Sequence, residues 1–315
     1  MKKKFVSRRR FVTLSSFGLA SAYTAWSDQL VPRLLRGFIA ETQRRILPSH
    51  ATPVPHDWDS DGLTAAWLGH STVLLNFGGV TILTDPALGN RIGANTVCGT
   101  VGPKRLVAPA LKPHQLPPID LVLLSHAHMD HLDFPTLRRL PAGSRAVTAR
   151  NTGDLVRQAG WRRPVELGWG DKTRITTRHG DVEIEAFEVN HWGARWKVDR
   201  RRGYNGYIIS RGGRKIIFGG DTALTTSFRS LRSKGPFDLA IMPIGAYNPW
   251  IYAHCTPEQA VDMANGAGAT YFLPIHFKTF QFGREGASEP IQRLHAAIDS
   301  ERIGWSDIGQ TFCLN

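Results

Sequence analysis

Four potential metal ligands occupy six consecutive positions near the middle of the chain. His126, His128, Asp130 and His131 lie in the run His-Ala-His-Met-Asp-His. Imidazole nitrogens and carboxylate oxygens are the groups that hold borderline divalent metals such as zinc. A single histidine is better explained as a surface or helix-capping residue. Four such residues so close together predict a metal site.

The residues before this cluster predict the element that positions it. Residues 119–125 form a short apolar run typical of a buried strand, so the cluster follows a strand end. From an extended segment, His126 and His128 can point in the same direction, while Asp130 and His131 follow as the chain turns. Two directions of approach suggest two metal ions.

The composition is that of a globular protein with a strong positive charge. The 315 residues are 42% hydrophobic and 21% charged, enough for one large domain or two small ones. The formal net charge is +13, and six basic residues precede position 22 without an acidic one, so 13 − 6 leaves +7 for the remainder. This excess favours anionic partners such as phospholipid headgroups or phosphorylated substrates. Nucleic acid is not expected as a partner, because no reader motif and no interleaving of basic and aromatic residues is present.

The first 60 residues predict export and a surface helix. Residues 1–26 resemble a twin-arginine signal or anchor, with Arg8, Arg9 and Arg10 before an apolar stretch and a small-residue cleavage site at 20–22. Localisation in the periplasm or cell envelope is therefore expected, with a disordered basic tail as the alternative. Residues 27–46 predict a basic amphipathic helix that lies on a membrane surface or packs on the enzyme, followed by a linker that completes the segment 27–60.

The cysteine spacing predicts neither a zinc ribbon nor a disulfide framework. Cys98, Cys255 and Cys313 are odd in number and widely spaced. One disulfide is compatible with an oxidising compartment, and the sequence does not choose the pair.

The rest of the chain alternates between strands and helices after initial hairpins, which predicts sheets covered by helices. Gly78-Gly79 and Gly212-Gly213 predict hairpin turns. The predicted strands are 65–68, 72–77, 80–85, 119–124, 145–148, 182–189, 204–210, 215–218, 239–243 and 270–274, and the predicted helices are 136–140, 151–159, 256–265 and 290–300.

Four ligands cannot complete two coordination shells, so further ligands are expected at later strand ends. His191, Asp221 and His276 each follow a predicted strand. One edge of the sheets would then gather all seven residues.

The motif and its partners resemble the metallo-β-lactamase superfamily over about residues 61–315. The signature H-x-H-x-D-H of that superfamily stands at positions 126–131. The resemblance implies an α/β fold, an αββα sandwich of two mixed β-sheets flanked by helices. It also implies the ligand sets: His126, His128 and His191 for one zinc, Asp130, His131 and His276 for the other, with Asp221 as a bridge.

Within this superfamily the chain is most similar to the branch of N-acylphosphatidylethanolamine-hydrolysing phospholipase D and the ascorbate-phosphate lactonase-like proteins. The strings that carry this resemblance are Trp-Leu-Gly-His-Ser-Thr at 67–72, Leu-Thr-Asp-Pro at 83–86, Gly-Pro-Lys-Arg at 102–105, Asn-His-Trp-Gly-Ala-Arg at 190–195, Gly-Gly-Asp-Thr at 219–222 and Met-Pro-Ile-Gly-Ala-Tyr at 242–247. By this resemblance His70 and Asp85 support the ligands, and His254 contacts the substrate. Strand-end or helix capping is the alternative role for these three residues.

The chain departs from the phospholipase D pattern at two places. Ala127 and Met129 stand where Asn and Tyr are usual, and Tyr204-Asn205-Gly206 replaces a Trp-Gly-Gly stretch. These departures leave the metal chemistry intact but bear on the acyl-chain and headgroup preference.

The expected activity is zinc-dependent hydrolysis of a phosphodiester, on phospholipids like N-acylphosphatidylethanolamine. Two metal ions, with iron or manganese as alternatives to zinc, would activate a water molecule that Asp130 or Asp221 positions. A lactone or carboxylic ester hydrolase and a non-catalytic metal-binding envelope protein are the alternatives. A di-iron redox relative would be expected to carry Glu at position 128, where this chain has His. The sequence leaves the oligomeric state open.

Overall fold

The structure is a computed structural model that describes residues 41–97, 99–141, 143–196 and 199–314. The predicted export signal, most of the predicted amphipathic helix and Cys98 lie outside these residues. The chain divides into two compact units after Arg45, and the fold described below is that of the second, from Ile46 onward. Within the described ranges, no helix combines the length and the apolarity needed to cross a bilayer.

Two mixed sheets form the centre of this unit. The strands in chain order are β1 (Leu63–Gly69), β2 (Thr72–Phe77), β3 (Val80–Thr84), β4 (Ala94–Thr96), β5 (Gly99–Val101), β6 (Leu121–Leu124), β7 (Arg145–Ala149), β8 (Val165–Leu167), β9 (Lys172–Thr177), β10 (Gly180–Phe187), β11 (Gly206–Arg211), β12 (Arg214–Phe218), β13 (Phe237–Pro243), β14 (Ala269–Ile275) and β15 (Thr311–Leu314). The first sheet has the order β15-β1-β2-β3-β6-β7-β8, and the second has the order β14-β13-β12-β11-β10-β9. A separate small hairpin joins β4 to β5.

Each sheet begins as an antiparallel meander and continues in parallel. In the first sheet, β1, β2 and β3 are antiparallel neighbours, and β6, β7 and β8 add to them in parallel. In the second, β10, β11 and β12 are antiparallel, and β13 and β14 follow in parallel. Because parallel strands end at one edge, the loops after β3, β6, β12 and β14 can meet at shared edges.

The central strands are buried, as the apolar runs predicted. Every residue of β1, β2 and β6 is buried, and the core cluster includes side chains from both sheets. Strands covered on both faces carry continuous apolar runs rather than alternation. The sheets are flanked by helices α1 (Phe134–Leu137), α2 (Gly153–Gln158), α3 (Ser227–Ser230), α4 (Pro257–Ala267) and α5 (Glu289–Ala297). The prediction of an α/β fold with two mixed sheets and flanking helices is confirmed.

Capping explains where two helices begin. Thr256 Oγ1 accepts a hydrogen bond from Gln259 N at 3.3 Å, and the Gln259 side chain accepts one from Thr256 N at 3.1 Å. This capping box starts α4 close to the predicted position. Helix α1 starts two residues before the prediction, because Asp133 caps it by accepting from Thr136 N at 3.0 Å.

The segment predicted as a linker is in contact with the folded unit. Ala51 N donates to Ile308 O at 3.4 Å and Trp58 packs against the core, while Leu47, just before the linker, bridges to Val107. Pro55–Asp57 forms a short 3-10 helix. The part of this segment after Arg45 therefore lies within the same compact unit as the sheets.

Candidate metal centre

The seven predicted ligands meet at one edge of the two sheets. The loop after β6 carries His126, His128, Asp130 and His131, and the loop after β10 carries His191. Asp221 and His276 follow β12 and β14. Potential ligand atoms of His126, His128 and His191 lie within 4.8 Å of one another, as do those of Asp130, His131, His276 and His70. We call His126, His128 and His191 the imidazole group, and Asp130, His131 and His276 the carboxylate group.

The nitrogens of the imidazole group lie close enough together to share one metal ion. His128 Nδ1 lies 2.9 Å from His126 Nε2 and 3.3 Å from His191 Nε2. Nitrogens bound to zinc at about 2.1 Å in a tetrahedron are separated by about 3.4 Å. The outer nitrogens are held in place, since His126 Nδ1 contacts Ser125 Oγ and His191 Nδ1 contacts Ala253 O, both at 2.9 Å. These outer contacts direct the inner nitrogens toward a common point.

The carboxylate group surrounds Asp130. Asp130 Oδ2 lies 3.4 Å from His131 Nε2, 3.6 Å from His276 Nε2 and 2.9 Å from His70 Nε2. Asp85 Oδ2 contacts His131 Nδ1 at 2.7 Å and so directs its Nε2 toward the group. Asp85 therefore occupies the supporting position that the sequence predicted. His70 also lies where a supporting residue is expected, because its Nε2 contacts the carboxylate of the candidate ligand Asp130.

Asp221 lies between the two groups. Its Oδ2 is 3.1 Å from both His131 Nε2 and His276 Nε2, and 3.8 Å from His191 Nε2. His254 Nδ1 is 3.9 Å from the same oxygen. This position suits the predicted bridging role, and it brings His254 into the cluster.

Several buried atoms of the cluster are without hydrogen-bond partners, and this observation tests whether a metal fits. Among the described residues, His131 Nε2, His276 Nε2, Asp221 Oδ1 and His254 Nδ1 are buried and make no hydrogen bond. Buried polar atoms normally find a partner, and nitrogen and carboxylate oxygen are the donor types that divalent zinc prefers. The residues therefore fit a metal centre.

The pKa values separate the two groups. Burial lowers the pKa of His126 and His191 well below the ordinary value and that of His128 to about 4. The pKa of His276 is raised to about 9, because Asp221 and Asp130 outweigh the lowering effect of burial. For His131 the same burial is outweighed by Asp221, Asp130 and Asp85, so its pKa is also raised.

The supporting histidines remain neutral at physiological pH. Burial lowers the pKa of His70 to about 3 and that of His254 to about 4. Burial alone would raise the pKa of Asp130 and Asp221, but neighbouring histidines hold both well below the usual value. The centre therefore contains ionised carboxylates, imidazoles that stay neutral and imidazoles that favour their protonated form.

The backbone is unusual where three of these residues stand. His70, Asp85 and His276 have φ values of 54°, 32° and 66°, in a region that residues other than glycine rarely adopt. Such conformations cluster at functional sites. Gly220 has a φ of 58°, and a Cβ there would lie 2.7 Å from Ser125 Cβ, so the loop before Asp221 requires glycine.

Arg195 is a supporting residue that the sequence did not single out. Its Nη1 donates to Ala127 O at 3.0 Å, inside the run 126–131, and to Leu132 O at 2.8 Å, directly after it. The guanidinium also lies over the Phe134 ring, at 4.2 Å from its centroid. Arg195 thus connects the loop of His191 to the loop after β6, which carries residues 126–131. The string at 190–195 contained this arginine, but no spacing rule predicts which backbone carbonyls it reaches.

A cleft of about 350 Å³ opens beside the ligands. His128, Met129, Asp130, Trp192 and Trp196 are among the residues that line it. Trp192 stacks on His191 with ring centroids 4.7 Å apart. A bound molecule in this cleft would contact ligand residues directly.

The fold and the metal centre together define a metal-dependent hydrolase. The model of the Beta-lactamase superfamily domain matches residues 81–277, and the chain belongs to this family. An uncharacterized protein of Mycobacterium tuberculosis is 32% identical over 262 residues, covering 80% of this chain and 68% of that protein. The N-acyl-phosphatidylethanolamine-hydrolyzing phospholipase D 1 of Caenorhabditis elegans is 32% identical over 272 residues, covering 81% of this chain and 75% of that protein.

A solved structure supports the fold. A metallo hydrolase of Ignicoccus hospitalis superimposes with a TM-score of 0.61 at 21% identity, covering 81% of this chain and 99% of that chain. The predicted superfamily, and the predicted likeness to phospholipase D proteins, are confirmed. Which of the clustered residues bind metal, and how many ions they hold, stay predictions.

Proposed function

We propose that this protein hydrolyses the phosphodiester bond of phospholipids like N-acylphosphatidylethanolamine, in the manner of a phospholipase D, with two zinc ions. The observation that carries the proposal is the pair of ligand groups that share Asp221 beside an open cleft. The similarity to the phospholipase D of Caenorhabditis elegans supports the substrate class.

In this reaction the hydroxyl of water bonds to phosphorus, and the bond from phosphorus to the headgroup oxygen breaks. The remaining proton of water goes to that oxygen, so the headgroup leaves as an alcohol. Bound divalent metals lower the pKa of water and stabilise charge on the attacked group. The imidazole group and the carboxylate group would each hold one ion. Asp130 and Asp221, both ionised, can accept a hydrogen bond from the attacking water and so orient it.

His254 is suited to contact the substrate. It is largely buried, its Nδ1 makes no hydrogen bond among the described residues, and its low pKa keeps the ring neutral. A neutral imidazole can donate from one nitrogen and accept at the other. We propose that it contacts the phosphodiester or its leaving oxygen.

An apolar rim supports a lipid substrate. Exposed side chains lie on the same loops as the site residues: Trp192 and Trp196 near His191, Leu224 after Asp221, and residues 250–252 before His254. Trp196 is 56% exposed and Tyr252 is 62% exposed. Aromatic side chains of this kind are favoured at the boundary between water and lipid. Peripheral association with a membrane surface, after twin-arginine export to the periplasm or envelope, completes the proposal.

The test of activity uses the purified full chain loaded with zinc. An N-acyl phospholipid, a bis-aryl phosphate, a lactone and a β-lactam are compared as substrates, with metal content measured in parallel. We expect turnover of the two phosphodiesters and its loss in His126→Ala, while His114→Ala, which changes an exposed histidine outside the site, keeps it. Turnover of the lactone alone would replace the proposal with the ester hydrolase alternative.

The test of export uses cell fractionation. Replacing Arg8 and Arg9 with lysine is expected to retain the protein in the cytoplasm, because the twin-arginine signal depends on arginine itself. Unchanged localisation of this variant would contradict the export proposal.

A further inference from the structure

A second cleft lies at the end of the first sheet away from the metal centre. It has a volume of about 700 Å³, and Arg138, Arg145, Arg162, Arg163 and Trp161 are among its lining residues. Arg145 is the first residue of β7 and pairs with Leu121, at the start of β6. His126 follows five residues after Leu121, which corresponds to about 16 Å along an extended chain. The cleft is therefore separate from the catalytic machinery.

The positive charge of this cleft is not balanced. All four arginines are exposed, and within the described ranges none of them forms an ion pair with a carboxylate. None of the described lining residues is acidic. Like charges around one concave surface repel one another and concentrate a positive potential there. An anion in the cleft would relieve this repulsion.

Contacts with neighbouring elements fix the wall of the cleft in place. Trp161 Nε1 donates to Leu137 O at 3.0 Å, which fixes the indole between the end of α1 and the turn after α2. Arg138 lies over the Phe134 ring at 5.4 Å from its centroid. The arginines thus project from an anchored surface that includes an aromatic side chain.

We propose that this cleft binds an anion that carries phosphate groups. Guanidinium groups present parallel N–H donors that match two oxygens of a phosphate, and several of them together favour a ligand with more than one phosphate oxygen pair. A free phosphorylated compound and a phospholipid headgroup share this chemistry. The cleft lies at the opposite end of the strands from the apolar rim, so a membrane held by the rim leaves it accessible to a soluble ligand.

The experiment measures ligand binding by calorimetry on the zinc-loaded full chain, with inorganic phosphate and fructose 1,6-bisphosphate as probes. Arg145→Gln combined with Arg162→Gln is compared with Arg157→Gln combined with Arg178→Gln. The second pair removes the same charge from exposed positions that do not line the cleft. Sedimentation with phosphatidylcholine vesicles, with and without phosphatidylglycerol, forms the second arm. Metal content and phosphodiester turnover are measured on all variants.

We expect the cleft pair to weaken bisphosphate binding at least tenfold, while the control pair binds as the wild type does and both pairs keep full turnover. If the cleft pair instead loses binding to anionic vesicles alone, the phosphate group belongs to a lipid headgroup and the assignment of the cleft stands. Equal weakening by both pairs would reduce the effect to net charge and overturn the proposal. Wild-type protein that binds neither probe nor anionic vesicles outside the metal centre would also overturn it.

Discussion

The imidazole group and the carboxylate group present a divalent metal with opposite electrostatic conditions. Burial keeps His126, His128 and His191 neutral at physiological pH, so their nitrogens are ready to coordinate. In the carboxylate group, the neighbouring Asp221 and Asp130 itself favour the protonated forms of His131 and His276. A metal entering the second group must therefore displace protons, while one entering the first need not.

The two groups also differ in how their outer nitrogens are held. His131 contacts a buried carboxylate, Asp85, whereas His126 contacts a hydroxyl and His191 a backbone carbonyl. A carboxylate raises the basicity of the ligand it orients more than a neutral partner does. The carboxylate group thus combines greater charge with greater dependence on pH.

The largest effect is expected from the residue that the groups share. Asp221→Asn keeps the shape of the side chain but removes the charge near both groups, and we expect turnover to fall about 10³-fold, as for a loss of several kcal/mol of stabilisation. Steady-state kinetics with metal analysis measures this. A variant that retains both metals and wild-type turnover would show that Asp221 does not join the groups.

Asp85→Asn is expected to weaken metal binding to the carboxylate group by about 10–100-fold, because an amide is a poorer partner for His131. Competition with a chromophoric chelator measures the two affinities separately. Ser125→Ala, which removes the hydroxyl that contacts both His126 and Asp85 but leaves the Asp85 carboxylate on His131, serves as the comparison and is expected to cost either group less than Asp85→Asn. The reverse order would contradict the contrast drawn between the groups.

Metal affinity is expected to depend on pH in only one group. His276 has a pKa of about 9 in the metal-free protein, so between pH 6 and 8 its proton must leave before coordination. Affinity should rise about tenfold per pH unit for each such proton, and the contribution of His276 should level off above pH 9. The imidazole group should be insensitive over this range, since its pKa values lie lower. Calorimetry in buffers of different ionisation enthalpy counts the released protons, and equal release in both steps would refute this difference.

The smallest effect is expected at Arg195. Arg195→Gln leaves the carbonyls of Ala127 and Leu132 without their charged donor, and we expect the imidazole group to lose affinity by about tenfold or less. Arg195→Lys should restore part of it. The thermal unfolding of the metal-free protein is the control: a variant that unfolds earlier but binds metal as before has lost only a structural contact.

The sequence predicted that seven candidate ligands lie at one edge of the sheets, because strand ends and residue types are both local features. His191, Asp221 and His276 follow apolar runs, and the structure places them with the ligand run as expected. Their pKa values could not be predicted in the same way, because burial and neighbouring charge depend on how the two sheets meet. The contacts of Arg195 and Ser125 are likewise set by tertiary structure.

The missed strands share a physical cause. β9 is mostly polar and lies at the edge of its sheet, and β8 has three residues. β15 pairs with β1 across almost the whole described chain, so no local pattern predicts it. The β4–β5 hairpin is short and largely exposed. Edge and long-range strands are stabilised by their partners more than by their own sequence.

The candidate ligands come from both sheets, and this has a consequence for stability. The first sheet supplies the run at 126–131, and the second supplies His191, Asp221 and His276. A metal ion bound by residues of both sheets would therefore link the two layers, and its binding would stabilise the folded protein by mass action. Removing it with a chelator should lower the temperature of unfolding even where every apolar contact remains. The metal ions that would activate water would then also stabilise the packing of the two sheets.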